Sequence, residues 1–81
     1  MNHSLRTHTN ELQSLPEVLS QRELEVFRLI GSGLTTVEIA EWMGITRKTV
    51  DTFRSRVKDK LNVRTMAELV WLATRWNADR Q

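Results

Sequence analysis

An all-α fold, a four-helix bundle containing a helix-turn-helix motif, is predicted by three features of this 81-residue sequence. Start signals recur along it as Ser20-x-x-Glu23, Thr35-x-x-Glu38 and Thr65-x-x-Glu68. In such a capping box the hydroxyl accepts from a backbone N–H of the first turn while the Glu reaches back to the cap. Each box opens an apolar run at helical spacing. No stretch alternates apolar and polar residues with comparable regularity, as a half-buried strand would.

The elements follow in order. Residues 1–16, MNHSLRTHTNELQSLP, are polar, lack an apolar period and are expected to form a tail or interdomain linker. His3 and His8 fall here with only Glu11 nearby, so they read as tail histidines and no metal site is assigned. The folded domain is expected over 17–78. Leu24, Val26, Phe27 and Ile30 mark a first helix that stops at Gly31-Ser32-Gly33. Ile39, Ala40 and Met43 mark a short second helix ended by Gly44. A third helix spans 46–61, with Val50, Phe53, Val57 and Leu61 on its core face. Met66, Leu69, Val70, Leu72 and Ala73 mark the fourth, with Met66, Leu69, Val70 and Ala73 facing the core.

Composition excludes several classes of function. The length allows one small domain and no large active-site cleft. There is no cysteine, hence no disulfide framework and no thiolate metal site. No apolar run approaches a membrane span, so a membrane role is not expected and the reducing cytoplasm is the default location. Gly31-Ser32-Gly33 is too short for a dinucleotide loop and follows a helix. With both histidines in the tail, no Ser, His and carboxylate set can be assembled. No catalytic residue and no cofactor are assigned, and the protein is not expected to be an enzyme.

Net charge is only +2, but it is unevenly spread. Residues 17–45 carry five acids against two bases, whereas 46–64 carry seven bases against two acids. The sign changes just after Gly44. The third helix also starts unlike its neighbours: Thr46 is a suitable N-cap, yet Arg47 and Lys48 occupy the first turn, where cations oppose the helix dipole. A phosphate at that end would remove the conflict. At 100° per residue, Lys48, Thr52, Ser55 and Asp59 lie opposite the core face, flanked by Asp51 and Arg56. Short polar groups at the centre of a strip let a helix approach base edges, while long cations at its margins reach phosphates. A solvated helix face rich in Lys and Arg is the plainer account of the same charges.

Ala40 and Gly44 complete the pattern. Two helices crossing through a tight turn need a small residue where they touch and a residue tolerant of positive φ in the turn. With Ile39, Ile45 and Val50 supplying apolar contacts, this spacing is a helix-turn-helix signature.

The segment LSQRELEVFRLIGSGLTTVEIAEWMGITRKTVDTFRSRVKDKLNV, continued by AELVWLA, resembles the LuxR-type helix-turn-helix domain. That domain lies at the C-terminus of many bacterial response regulators of two-component systems and of quorum-sensing activators. The resemblance covers residues 19 to 76 without gaps. It implies sequence-specific binding of double-stranded DNA, with the third helix in the major groove and the fourth available for dimerisation. Lys48, Asp51, Thr52 and Ser55 are then the candidates for base contacts. Thr35, Thr36, Thr46, Arg47, Thr49, Arg56 and Lys58 are the phosphate candidates, although Thr35, Thr46 and Thr49 also suit purely local capping. Asp59 would mark the limit of the footprint.

Many members carry Lys and His where this chain has Asp51 and Phe53. Phe53 faces the core and substitutes packing. Asp51 faces outward, either to accept from a cytosine N4 amine or to pair with Arg47 or with a neighbour of Ser55. On the fourth helix Ala67, Trp71, Thr74 and Arg75 form an outward stripe suited to a homodimer, whereas Trp42 and Trp76 are candidates to cover the core. RNA polymerase is a further candidate partner. Two other readings stay open: a sigma-factor-like promoter-reading domain, and a four-helix protein-interaction module without DNA binding.

Overall fold

The computed structural model describes residues 15–80, and five α-helices make up its regular structure. A single turn, α1 (Leu15–Val18), precedes the four helices α2 (Gln21–Gly31), α3 (Thr36–Met43), α4 (Arg47–Lys60) and α5 (Met66–Asp79). No strand occurs among the described residues. Leu15 is 4% exposed and joins the core. His3 and His8 lie outside the described residues.

The starts of the helices are set by their caps. Ser20 Oγ accepts from Glu23 N at 3.1 Å while Ser20 N donates to Glu23 Oε1 at 2.8 Å, a complete capping box. Thr35 and Glu38 repeat it at 3.2 and 2.8 Å. The third expected box differs. Thr65 Oγ1 accepts from Glu68 N, but the Glu68 carboxylate takes the N–H of Arg64, one residue before the cap. The reach of a Glu side chain covers both donors, and sequence spacing does not choose between them.

The ends share one device. Gly33, Gly44 and Asn62 adopt left-handed φ of 91°, 68° and 56° just after α2, α3 and α4. Beyond each, an apolar residue donates its N–H five residues back: Leu34 to Leu29 O, Ile45 to Ala40 O and Val63 to Lys58 O. This is the Schellman closure, which satisfies otherwise orphaned carbonyls and tucks an apolar side chain under the helix end. A threonine cap follows within two residues, at Thr35, Thr46 and Thr65. Stop, apolar tuck and restart thus recur at three junctions.

The centre of the core is α2, packed against α5 on one side and α4 on the other, with α3 lying on α4. Val26, Phe27, Val50, Val57, Leu69 and Ala73 are fully buried. Each large aliphatic or aromatic side chain so buried contributes about 1.5–3 kcal/mol. Phe27 meets Trp76 edge to face, with centroids 5.9 Å apart. The seam between α2 and α5 is close at Gly31, where a Cβ would stand 2.6 Å from Ala73 C and 2.7 Å from Asn77 Nδ2. Asn77 Nδ2 closes it by donating to Arg28 O at 2.9 Å.

Two expectations are corrected. Val70 was placed on the core face, yet it is 42% exposed. The buried stripe of α5 is Leu69, Ala73 and Trp76, spaced four and three residues apart, and Val70 falls about 100° off it. Trp76 covers the core as expected, but Trp42 is 71% exposed and does not.

Candidate nucleic-acid interface

The outward strip of α4 forms as the helical wheel requires. Burying Val50 and Val57, with Phe53 and Leu61 partly covered against the core, forces Lys48, Asp51, Thr52, Ser55, Arg56 and Asp59 into solvent. At the start of α4, Thr46 Oγ1 accepts from Thr49 N at 3.1 Å and lies 2.9 Å from Thr49 Oγ1. Local capping is therefore what Thr46 and Thr49 demonstrably do. No acid occupies this first turn, whereas α2, α3 and α5 each have a Glu there.

Among the described residues, no carboxylate stands within ion-pair distance of Arg47, Lys48, Arg56 or Lys58. Arg47, Lys48 and Arg56 are exposed and Lys58 is half-buried. Cations left without internal partners are free to meet an external anion. Thr52 Oγ1 donates to Lys48 O at 3.1 Å, so its hydroxyl proton is engaged by the helix. What Thr52 presents outward is therefore a pair of acceptor lone pairs and a methyl group.

Arg54, unassigned on sequence grounds, is the residue that draws the strip together with α3. Its Nη1 donates to Thr36 Oγ1 across the two helices and sits 3.4 Å from Asp51 Oδ1. Thr36 and Asp51 thus share one guanidinium, and Asp51 pairs with Arg54, the neighbour of Ser55, and not with Arg47. The spacing of 51 and 54 would have suggested that pair. Nothing local could have suggested Thr36, eighteen residues away. Thr35 stays on the exposed cap of α3.

At the C-terminal end of α4 a partly exposed lysine reaches back to a buried acid. Lys60 Nζ lies 2.7 Å from Glu23 Oε1, and Glu23 is 3% exposed. Burial alone would raise the Glu23 carboxyl. The Lys60 ammonium and the N–H of Ser20 outweigh that and hold it below the ordinary carboxylate value.

On α5, Ala67, Trp71, Thr74 and Arg75 all lie on the exposed side, joined by Val70. Trp71 is 56% exposed and the Arg75 guanidinium stacks over its ring at 4.8 Å. Thr74 Oγ1 donates to Val70 O at 2.7 Å, leaving its methyl outward. The stripe is therefore more apolar than its residue names suggest.

The family model described as "Bacterial regulatory proteins, luxR family" matches residues 17–73. The chain belongs to the luxR family. A luxR-family domain is a DNA-binding domain of transcription regulators and not an enzyme class, which agrees with the helix-turn-helix geometry of α3 and α4. The virulence factors putative positive transcription regulator BvgA of Bordetella pertussis is 42% identical over 64 residues, 79% of this chain and 31% of that protein. The transcriptional activator protein ExaE of Pseudomonas putida is 46% identical over 55 residues, 68% of this chain and 26% of that one. The uncharacterized response regulatory protein YgeK of Escherichia coli K12 is 42% identical over 57 residues, 70% of this chain and 39% of that one. The luxR-family chain thus spans well under half the length of these curated relatives. No described helix is long and apolar enough to cross a membrane.

Proposed function

We propose that this domain lays α4 in the major groove of double-stranded DNA as the reading part of a bacterial transcription regulator. The observation that carries the reading is the outward strip of α4: short polar groups at its centre, cations at its margins without a carboxylate partner among the described residues, and a first turn without an acid. Lys48, Asp51, Thr52 and Ser55 would meet base edges. Arg47, Lys48, Arg56 and Lys58 would neutralise phosphates on either side, with the hydroxyls of Thr35, Thr36, Thr46 and Thr49 beside them. Thr36 fits this role because its oxygen accepts from Arg54 and its own O–H is left to donate.

The exposed stripe of Ala67, Val70, Trp71, Thr74 and Arg75 supports a homodimer through α5, placing two α4 helices on half-sites about one DNA turn apart. Residues 1–16 would act as a tail or linker to 17–78, RNA polymerase is a further partner of such a regulator, and the site of action is the cytoplasm, where a bacterial duplex is reached.

The test is a fluorescence-anisotropy titration with mixed-sequence duplex from low to physiological salt. A dimer neutralising about eight phosphates gives a log–log slope of about −7. Absence of binding at low salt would refute the reading.

A further inference from the structure

Asp51 poses a problem for any helix that enters a groove walled by phosphates. It is an acidic side chain at the middle of the approaching strip and is 64% exposed. Arg54 lies beside it with only 24% of its side chain exposed, held from behind by Thr36 of α3. The guanidinium therefore cannot swing out to a phosphate without abandoning Thr36. Its Nη1, the same atom that meets Thr36, lies 3.4 Å from one carboxylate oxygen, Oδ1, and Oδ2 is left without an accepted bond among the described residues. A carboxylate neutralised on one side and open on the other is an oriented acceptor.

Resting on the DNA reading above, we infer that Arg54 is a positioning residue that sets base preference through Asp51. The preferred base is one presenting an amine in the major groove without an adjoining acceptor, which is cytosine through N4. Adenine presents N6 as a donor but places the N7 acceptor beside it, where a carboxylate oxygen is repelled. Arg54 has two effects. It cancels the charge that would oppose entry past the phosphates, and it fixes which Asp51 oxygen faces the base. Thr36 fixes Arg54 in turn, so a residue at the start of α3 contributes to the choice of base without touching it.

The experiment selects bound sequences from a randomised duplex library with the full 81-residue chain, and measures affinity for random duplex and thermal midpoint in parallel. Wild type is expected to favour cytosine at one position of each half-site by roughly five- to a hundredfold, the general worth of one base contact. Asp51→Asn is expected to move that preference to adenine, which an amide pairs on both N6 and N7. Arg54→Met is expected to flatten the same position while leaving preferences elsewhere in place, and Thr36→Val to flatten it partly. The double variant Asp51→Asn, Arg54→Met should match Asp51→Asn at that position.

A residue acting only on stability would shift the midpoint and lower affinity evenly across positions. An unchanged cytosine preference in Arg54→Met, or in Asp51→Asn, would overturn the proposal. Wild-type binding of random duplex with a steep salt slope but no cytosine-selective position would overturn it while the DNA reading stands. Loss of all duplex binding by wild type would remove both.

Discussion

The seam between α2 and α5 and the outer face of α4 are built from different residue types and put to opposite use. In the seam, Asn77 caps the carbonyl of Arg28, Gly31 admits the backbone of α5, and Phe27 meets Trp76. On the outer face, Arg47, Lys48 and Arg56 are exposed and without acidic partners among the described residues. Glu23 sharpens the contrast. It is an acid buried where Lys60 reaches it, so α4 gives one cation to the fold near its C-terminal end while Arg47, Lys48 and Arg56 stay exposed. Packing and exposed charge are thus divided along a single helix.

That division can be broken most forcefully in the seam. Gly31→Val is expected to cost about 3 kcal/mol or more, because the new side chain meets the backbone of Ala73, which cannot yield as a side chain would. Urea unfolding measures it. The gain in helix propensity over glycine, about 0.5 kcal/mol, is too small to compensate.

Glu23→Gln should cost about 1–2 kcal/mol at neutral pH, less than a fully buried pair because Lys60 is 41% exposed and can return to water. The Glu23 carboxyl is held below its ordinary value in the folded state. Its contribution is therefore present above the unfolded value and is lost as pH falls through the depressed folded value. Thermal midpoints followed from neutral pH into acid should converge for wild type and Glu23→Gln. Curves that stay parallel would show that the pair is not the cause.

Thr46→Ala tests the boundary between the two regions, since its hydroxyl caps the helix that carries the cations. A loss of about 1 kcal/mol is expected in the same urea series. The smallest stability effects belong to Lys48→Ala and Arg56→Ala, each within about 0.5 kcal/mol of wild type. Each should still lower the magnitude of the salt slope for duplex binding by about one unit. A large stability loss in either variant would erase the distinction between the seam and the face.

What could be read in advance was what is local. The caps at Ser20, Thr35, Thr46 and Thr65, the stop at Gly44 and the two faces of α4 depend on residues within one or two turns. The contacts that escaped are those between distant positions: Thr36 with Arg54, Glu23 with Lys60, and Arg28 with Asn77, separated by 18, 37 and 49 residues. Helical period gives each element an apolar face but does not say which other helix will meet it. Val70 shows this: it is apolar and next to buried Leu69, yet the stripe that α2 covers passes through Leu69, Ala73 and Trp76. The repeated closure at Leu34, Ile45 and Val63 was legible in principle: a left-handed residue, an apolar residue and then a threonine within two positions.

The junction from Gly44 to Thr46 has a consequence for association. Gly44 ends α3 in a closed backbone loop and Thr46 begins α4 with its cap filled, leaving no unsatisfied length of chain between them. The two helices therefore meet through a joint whose backbone hydrogen bonds are already made. Such a joint loses little conformational entropy on docking. Binding of the two helices to a duplex should accordingly show little of the large heat-capacity change that accompanies folding upon contact.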